Sequence, residues 1–251
     1  MHVHLPKPLH GWRAFVGEVG IIVAGVLIAL AAEQLMDEWQ WRQKVGHAEA
    51  AMRLELAEDD GPQAYGRALI GPCLDQQIMR IHDGAGRVPS EQLRQWAADY
   101  APPFRTWDSE AWKVVVASDT GSHMGPDRLV AWSAPYRILP MLTDQAQREG
   151  QLVIDLRETL PPAGISSPSE LQSLRRTAAQ LRLLNRRFQS SAQLLLTRIA
   201  ANGAQVPLPI ERALLADARA LYGNCVTVPD LNAPPTAMKL IANLKGGSLR
   251  R

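Results

Sequence analysis

Residues 19–32 form the longest stretch of the chain without a polar side chain, and Glu18 and Glu33 bound it. Phe15, Val16, Leu35 and Met36 extend the apolar character on both sides. From residue 14 to residue 36 those two glutamates are the sole ionisable groups, each near an end. Eleven positions in this segment are Leu, Ile, Val or Phe. At roughly −0.3 to −0.6 kcal/mol each they favour insertion into lipid by about 3–7 kcal/mol. A carboxylate at mid-depth opposes this by ~2.5–3.5 kcal/mol, and by less near the interface. The balance predicts a transmembrane helix over residues 12–36, behind an irregular tail at 1–11.

Beyond the span the pattern becomes amphipathic. Trp41, Val45, Ala48, Met52 and Leu56 recur at steps of four and three, which is one helical face. Glu55, Glu58, Asp59 and Asp60 lead to Gly61 and Pro62, a stop signal. This predicts a helical extension of the anchor over 37–60. A second helix over 63–83, interrupted at Gly71 and Pro72, opens a bundle domain assigned to 61–244. Within it Leu93 and Trp96 mark a short helix, and Thr106 or Asp108 caps the next. Leu129, Trp132, Tyr136 and Leu139 repeat at helical steps, divided by Pro135 and Pro140. The clearest soluble helix starts at Ser167. Leu174, Ala178, Leu181, Asn185, Phe188, Ala192, Leu195 and Ile199 alternate steps of four and three. Fewer than four heptads favours the core stripe of a bundle over a coiled coil between subunits. Another helix runs from 207 to 222, a short one from 236 to 244, and 245–251 is a basic tail. No alternating run predicts a sheet. The fold class is therefore all-α: a single N-terminal transmembrane helix continuing into a soluble helical bundle.

The flanks of the span carry Trp12 on one side and Trp39 and Trp41 on the other. Trp12 and Trp39 are separated by roughly 40 Å of helix, about a bilayer with its headgroup layers. Indole rings prefer those layers, so the three residues read as interfacial belts. Glu18 sits close enough to the end to reach the headgroups. Gly20 with Ala24, and Gly25 with Ala29, form small pairs four apart, which let two spans pack closely. A cleaved signal peptide is the rival, with Lys7 and Arg13 before the apolar run and Ala29-Leu30-Ala31 as its cleavage site. Against it, the helical pattern continues past that site without a breaker.

Phe15-Val16-Gly17-Glu18, followed by Gly25-Val26-Leu27-Ile28-Ala29-Leu30, resembles the opening of a family of uncharacterised bacterial membrane-anchored proteins. Those proteins begin with a Phe-x-Gly-Glu apolar helix that leads into a longer helix. A fainter likeness covers residues 107–136, through Trp112, Ser118, Gly121, Leu129 and Tyr136. The resemblance implies a membrane anchor and no activity. The chain departs from it at Ala31-Ala32-Glu33-Gln34, where relatives carry Asn-Trp pairs.

Charge adds little. The 251 residues carry a net +2, and setting aside Lys7, Arg13, Glu18 and Glu33 leaves that balance unchanged. It gives no reason to expect nucleic acid as a partner. Basic residues are nearly even across the span, with Arg42 and Lys44 on the far side, so orientation leans on the short tail staying cytoplasmic. That puts the protein in a bacterial inner (plasma) membrane with its soluble domain periplasmic. Cys73 and Cys225 could pair there, or remain two small buried hydrophobes. Arg175, Arg182 and Arg186, with Arg176, Arg187 and Arg198 beside them, line the polar face of the helix from Ser167. They suit salt bridges to the acidic end of the first helix, or an anionic partner.

Candidate chemistry is sparse. His2 and His4 have metal-ligand spacing but no third ligand nearby. Asp108 and Glu110 are two apart on a helix start and do not face each other. The most polar loop groups Asp119, Ser122, His123 and Asp127, but Ser122 lies in no Gly-x-Ser-x-Gly elbow, and turn chemistry explains the loop equally. No phosphate loop, His-Glu-x-x-His or Cys-x-x-Cys occurs. No catalytic, metal or cofactor site follows. The expected role is a non-enzymatic anchored protein of interaction or scaffolding, with the bilayer, a second copy or another protein as partner. Two alternatives are a sensory ectodomain with a pocket lined by Trp107, Trp112, Trp132 and Tyr136, and a tethered hydrolase on the 119–127 loop.

Overall fold

The computed structural model describes residues 11–107, 109–161 and 163–230. The terminal assignments at 1–10 and 231–251, including His2, His4 and the helix at 236–244, lie outside the described residues, as does Asp108. Every regular element described is helical. Helix α1 spans Trp12–Glu55 and passes through a π-helical turn, Leu56–Asp60, into α2, Gly61–Gly84. Then come α3 (Ser90–Asp99), α4 (Glu110–Ala117), α5 (Thr120–His123), α6 (Pro126–Tyr136), α7 (Leu139–Glu158), α8 (Pro168–Ala201) and α9 (Leu208–Tyr222). All-α is thus the observed class.

The stop expected at Gly61 and Pro62 is not a stop. Asp60 and Gly61 keep right-handed helical dihedrals, and the Gly61 N–H donates to the Leu56 carbonyl five residues back. A π turn widens the helix, so Pro62, which has no N–H to give and whose ring would crowd the preceding turn, is carried through it. Gly61 permits this turn: a Cβ there would stand 2.5 Å from the Leu56 oxygen and 2.9 Å from Val206 Cγ2. Phe15–Gly84 is consequently one helical run of 70 residues, about 105 Å along its axis.

Nor is the helix interrupted at Gly71 and Pro72, which lie inside α2. A proline ring disturbs hydrogen bonding to the carbonyls of the preceding turn. The carbonyl deprived by Pro72 is that of Ala68, and the next one, Leu69, accepts from the Thr227 N–H at 3.2 Å. The chain after α9 is therefore docked on α2 beside the proline turn. Gly71 also allows close approach of α8, since a Cβ would meet Gln189 at 2.3 Å.

Helices α2 and α8 are the central pair, with α7 against α8 and α9 against α2. Both central stripes have the expected period. On α8 all eight seam positions from Leu174 to Ile199 are buried. Their burial within one chain accounts for the seam as a bundle core. Helix α8 starts with a capping box: the Ser167 hydroxyl accepts from the Glu170 N–H, and the Glu170 carboxylate accepts from the Ser167 N–H. It ends at Gly203, whose positive φ of 69° suits a residue without Cβ. Along α1, Val45, Met52 and Leu56 are buried as the 3.6 pattern requires, and Trp41 and Ala48 are half-buried. Helix α9 is peripheral. Ala218 is its one buried residue, while Leu221 is 80% exposed.

Cys73 and Cys225 form a disulfide, with Cα atoms 5.1 Å apart across 152 residues of sequence. It fastens the end of α9 to α2 beside the Thr227–Leu69 hydrogen bond. Closing a loop of that length restricts the unfolded chain by about 5 kcal/mol in the entropic account.

Candidate functional site

Three places in the fold carry the sequence candidates or depart from ordinary packing. The first is the amino-terminal part of α1. None of its most apolar 18-residue window is buried against the rest of the chain. Ile21, Ile22 and Ile28 stand 75%, 66% and 71% exposed. Gly20 and Gly25 have open space where a Cβ would point, and Ala24 and Ala29 are exposed beside them. Trp12 and Trp39 are exposed at its two ends. Trp41 differs: His123 stacks on its ring at 3.7 Å, nearly parallel, and Lys44 Nζ lies 4.2 Å from its centroid.

The second place is the α4–α5–α6 hairpin, which runs down α1 and back. Glu55 accepts from the Ala111 N–H at 2.9 Å and so caps α4 from outside. Glu49 accepts from Arg128 Nε at 2.9 Å and Trp132 Nε1 at 3.2 Å, which fixes α6. The tip between these helices, residues 118–127, lies at the level of Trp41, next to the apolar segment. It carries Asp119, Ser122, His123 and Asp127, all exposed. They do not assemble as a catalytic set. The Ser122 hydroxyl donates to the Asp119 backbone carbonyl at 2.7 Å, and the His123 ring lies flat on Trp41. Among the described residues no hydrogen bond joins Ser122 to His123. Turn chemistry, with Pro126 opening α6, accounts for the loop.

The four aromatic residues expected around a ligand pocket pack on one another or on other side chains. Trp112 stacks on Tyr136 at 5.4 Å, and Trp107 meets Phe188 at 6.3 Å. Trp132 lies under Arg53, 5.5 Å away. The Tyr136 hydroxyl donates to the Met52 carbonyl at 3.4 Å. Burial, and then Glu55, push the Tyr136 phenol up.

Of the third place the sequence reading named only Asn185, on the seam of α8. Arg67 on α2, Glu149 on α7 and Asn185 on α8 meet inside the bundle, at 1%, 4% and 0% exposure. Arg67 Nη2 donates to Glu149 Oε1 at 2.6 Å and to Asn185 Oδ1 at 2.9 Å. Asn185 Nδ2 donates to the Gly71 carbonyl at 2.9 Å. The Arg67 guanidinium lies 4.4 Å from the Phe188 ring centroid. Burial raises the Glu149 carboxyl, and the Arg67 charge and hydrogen bond oppose it. Burial also lowers Arg105, with the neighbouring positive charge of Arg67 adding to it. Tyr100, packed in the same interior, is pushed up by burial and then by Glu149. The signal was available: Arg67 falls on the α2 stripe of Ala64, Gly71, Leu74, Ile78 and Ile81. Glu149 falls on the α7 stripe of Ala146, Val153 and Leu156. A charge on a 3.6-period apolar stripe is a buried charge in need of a partner.

The arginines of α8 find partners other than those expected. Arg182 and Arg186 face Asp75 of α2 at 3.2 and 3.5 Å, and Arg175 donates to the Ala85 carbonyl. Among the described residues no ion pair joins these three to the acidic end of α1. Among the described residues no group of three His, Cys, Asp or Glu side chains could hold a metal ion.

No family model matches this chain, and no curated protein or solved structure does. The functional reading therefore rests on the residues themselves.

Proposed function

We propose that the chain is a single-pass protein of the bacterial inner membrane, anchored by residues 12–36, whose helical bundle lies on the periplasmic side. The bundle acts in interaction or scaffolding rather than in catalysis. The observation that carries this reading is the wholly exposed apolar segment of α1. An uncapped apolar rod of that length in water would cluster, whereas lipid satisfies it. The disulfide between Cys73 and Cys225 supports the periplasmic side, because such bonds persist in oxidising compartments. Gly20 and Gly25, with open space where a Cβ would point, and the exposed Ala24 and Ala29 support self-association through the span.

Fractionation tests the anchor. The full chain is expected in the membrane pellet after a high-salt wash, and release of a fragment the size of residues 32–251 would overturn it in favour of a cleaved leader. Orientation is tested by a C-terminal alkaline phosphatase fusion. Activity is expected from the periplasm, together with a gel shift on reduction of the Cys73–Cys225 bond; a silent fusion and free thiols would place the domain in the cytoplasm. Crosslinking through a cysteine placed at residue 24 reads self-association, and its absence would leave the span monomeric.

A further inference from the structure

Where α1 leaves its apolar segment it forms one wall of a cavity of about 540 Å³, a volume in the range of small-ligand sites. Asp37, Glu38, Trp41 and Arg42 belong to that wall, and His123 and Arg128 stand on the other side. The stack of His123 on Trp41 holds the hairpin against α1 at this point. Asp37 to Trp41 covers ~6 Å of helix axis, and the headgroup layer on each face of a bilayer is about 5–7 Å deep. The lining holds two carboxylates and two guanidiniums, so it carries no net charge. Asp119 and Asp127 of the hairpin tip are not part of it. Arg42 donates to Glu38 at 2.6 Å, yet its side chain is 76% exposed. Glu49 takes Nε and Nη2 of Arg128. A guanidinium carries five N–H donors, so each arginine keeps some to give. Among the described residues Asp37 makes no ion pair.

We propose that this cavity receives the headgroup of a zwitterionic phospholipid with a primary ammonium, a phosphoethanolamine lipid. Arg42 and Arg128 donate to the phosphodiester oxygens. Asp37 accepts from the ammonium. The acyl chains then lie along α1 beside Leu35 and Met36, which are exposed on the turn before Asp37. A lining without net charge has no surplus to hold a plain anion, whereas its separated charges match a headgroup that carries both signs. Hydrogen bonding sets the kind of ammonium: a primary one donates to a carboxylate, and a quaternary one has no N–H to give. This inference rests on the anchoring reading, since a span in lipid is what brings headgroups to this turn.

The test is native mass spectrometry of the full chain in mild detergent, incubated with equimolar dioleoyl phosphatidylethanolamine, phosphatidylcholine and phosphatidylglycerol. Phosphatidylethanolamine is expected to be retained on the order of fivefold over the other two. Asp37→Asn should bring it down to the level of phosphatidylcholine, and Arg42→Gln should lower both alike, because both carry the phosphodiester. Asp37 and Arg42 are exposed, so Tm is expected to stay the same in either variant. Equal retention of the three lipids would overturn the site, as would a preference for phosphatidylglycerol, the mark of a merely basic surface. An unchanged preference in Asp37→Asn would overturn it too. Displacement of the lipid by inorganic phosphate would make this a site for the free anion instead. A chain that stays in the membrane pellet but shows no headgroup preference defeats this inference alone; a chain that leaves the pellet defeats the anchor and this inference with it.

Discussion

Ile28 on α1 is 71% exposed, whereas Arg67, further along the same helical run, is 1% exposed. An apolar side chain stands outside and a charged one inside. The two regions meet the same requirement by different means. The apolar segment needs a different solvent, and in the proposed reading a bilayer of about 30 Å would supply it. Arg67 has no change of solvent available, so it needs partners within reach, and Glu149 and Asn185 supply two. Position relative to the bundle therefore says little by itself. What matters is whether each group finds the medium or the partner its chemistry requires.

The comparison can be broken most forcefully at Arg67. Arg67→Ala leaves Glu149 buried without its cation and should cost about 3–5 kcal/mol in urea unfolding of the detergent-solubilised chain. Replacing all three partners together, as Arg67→Met, Glu149→Leu and Asn185→Leu, should be near neutral or stabilising. If the single variant cost no more than the triple, pairing would not be what holds the charge inside. On the other side, Val26→Arg places a charge in mid-span and should oppose insertion by about 2.5–3.5 kcal/mol. A smaller membrane-bound fraction on fractionation is the expected result, and unchanged retention would count against lipid as the solvent of α1. Between the two regions, Gly61→Ala drives a Cβ into the Leu56 carbonyl and Val206. It should destabilise the bundle by about 1–3 kcal/mol in the same urea assay and leave membrane retention intact.

Alkali should separate the regions. Burial raises both Tyr100 and Tyr136 above the ordinary phenol value of 10.0. Unfolded phenols lose their protons near that pH while the folded ones hold theirs. The stability they confer is present below it and is lost as pH climbs above. Helical signal from the bundle should fall above pH 10 while the chain stays in the pellet, and Tyr136→Phe should flatten that loss in a circular dichroism titration. The smallest effect is expected at the rim, where Asp75 meets Arg182 and Arg186 with partial exposure. Asp75→Asn should change stability by less than about 1 kcal/mol.

Much of the architecture was legible because it is periodic. The seam from Leu174 to Ile199 and the face from Val45 to Leu56 are buried as their spacing requires. Local chemistry located the start of α8 at Ser167. The errors came from signals whose meaning depends on distant groups. Gly61 and Pro62 read as a stop because a π turn leaves no mark in a run of acidic residues. Gly71 and Pro72 read as a break because the groups packed on that turn, Gln189 and Thr227, are distant in sequence. Of the ionic centre only Asn185 drew attention, since spacing shows a polar residue on a stripe but not which stripe will face it. The pairing of Cys73 with Cys225 was open for the same reason.

Nothing along Phe15–Gly84 interrupts helical backbone, the π turn included. The exposed apolar part and the part carrying Arg67 therefore belong to one shaft. Were that apolar part set in a bilayer, as proposed, a roll of it about its own axis would reach Arg67 as torque. Glu149 and Asn185 ride on α7 and α8, which are separate from that shaft, so the hydrogen bonds from Arg67, together with the packing of α2 on α8, would pass such a twist to the rest of the bundle.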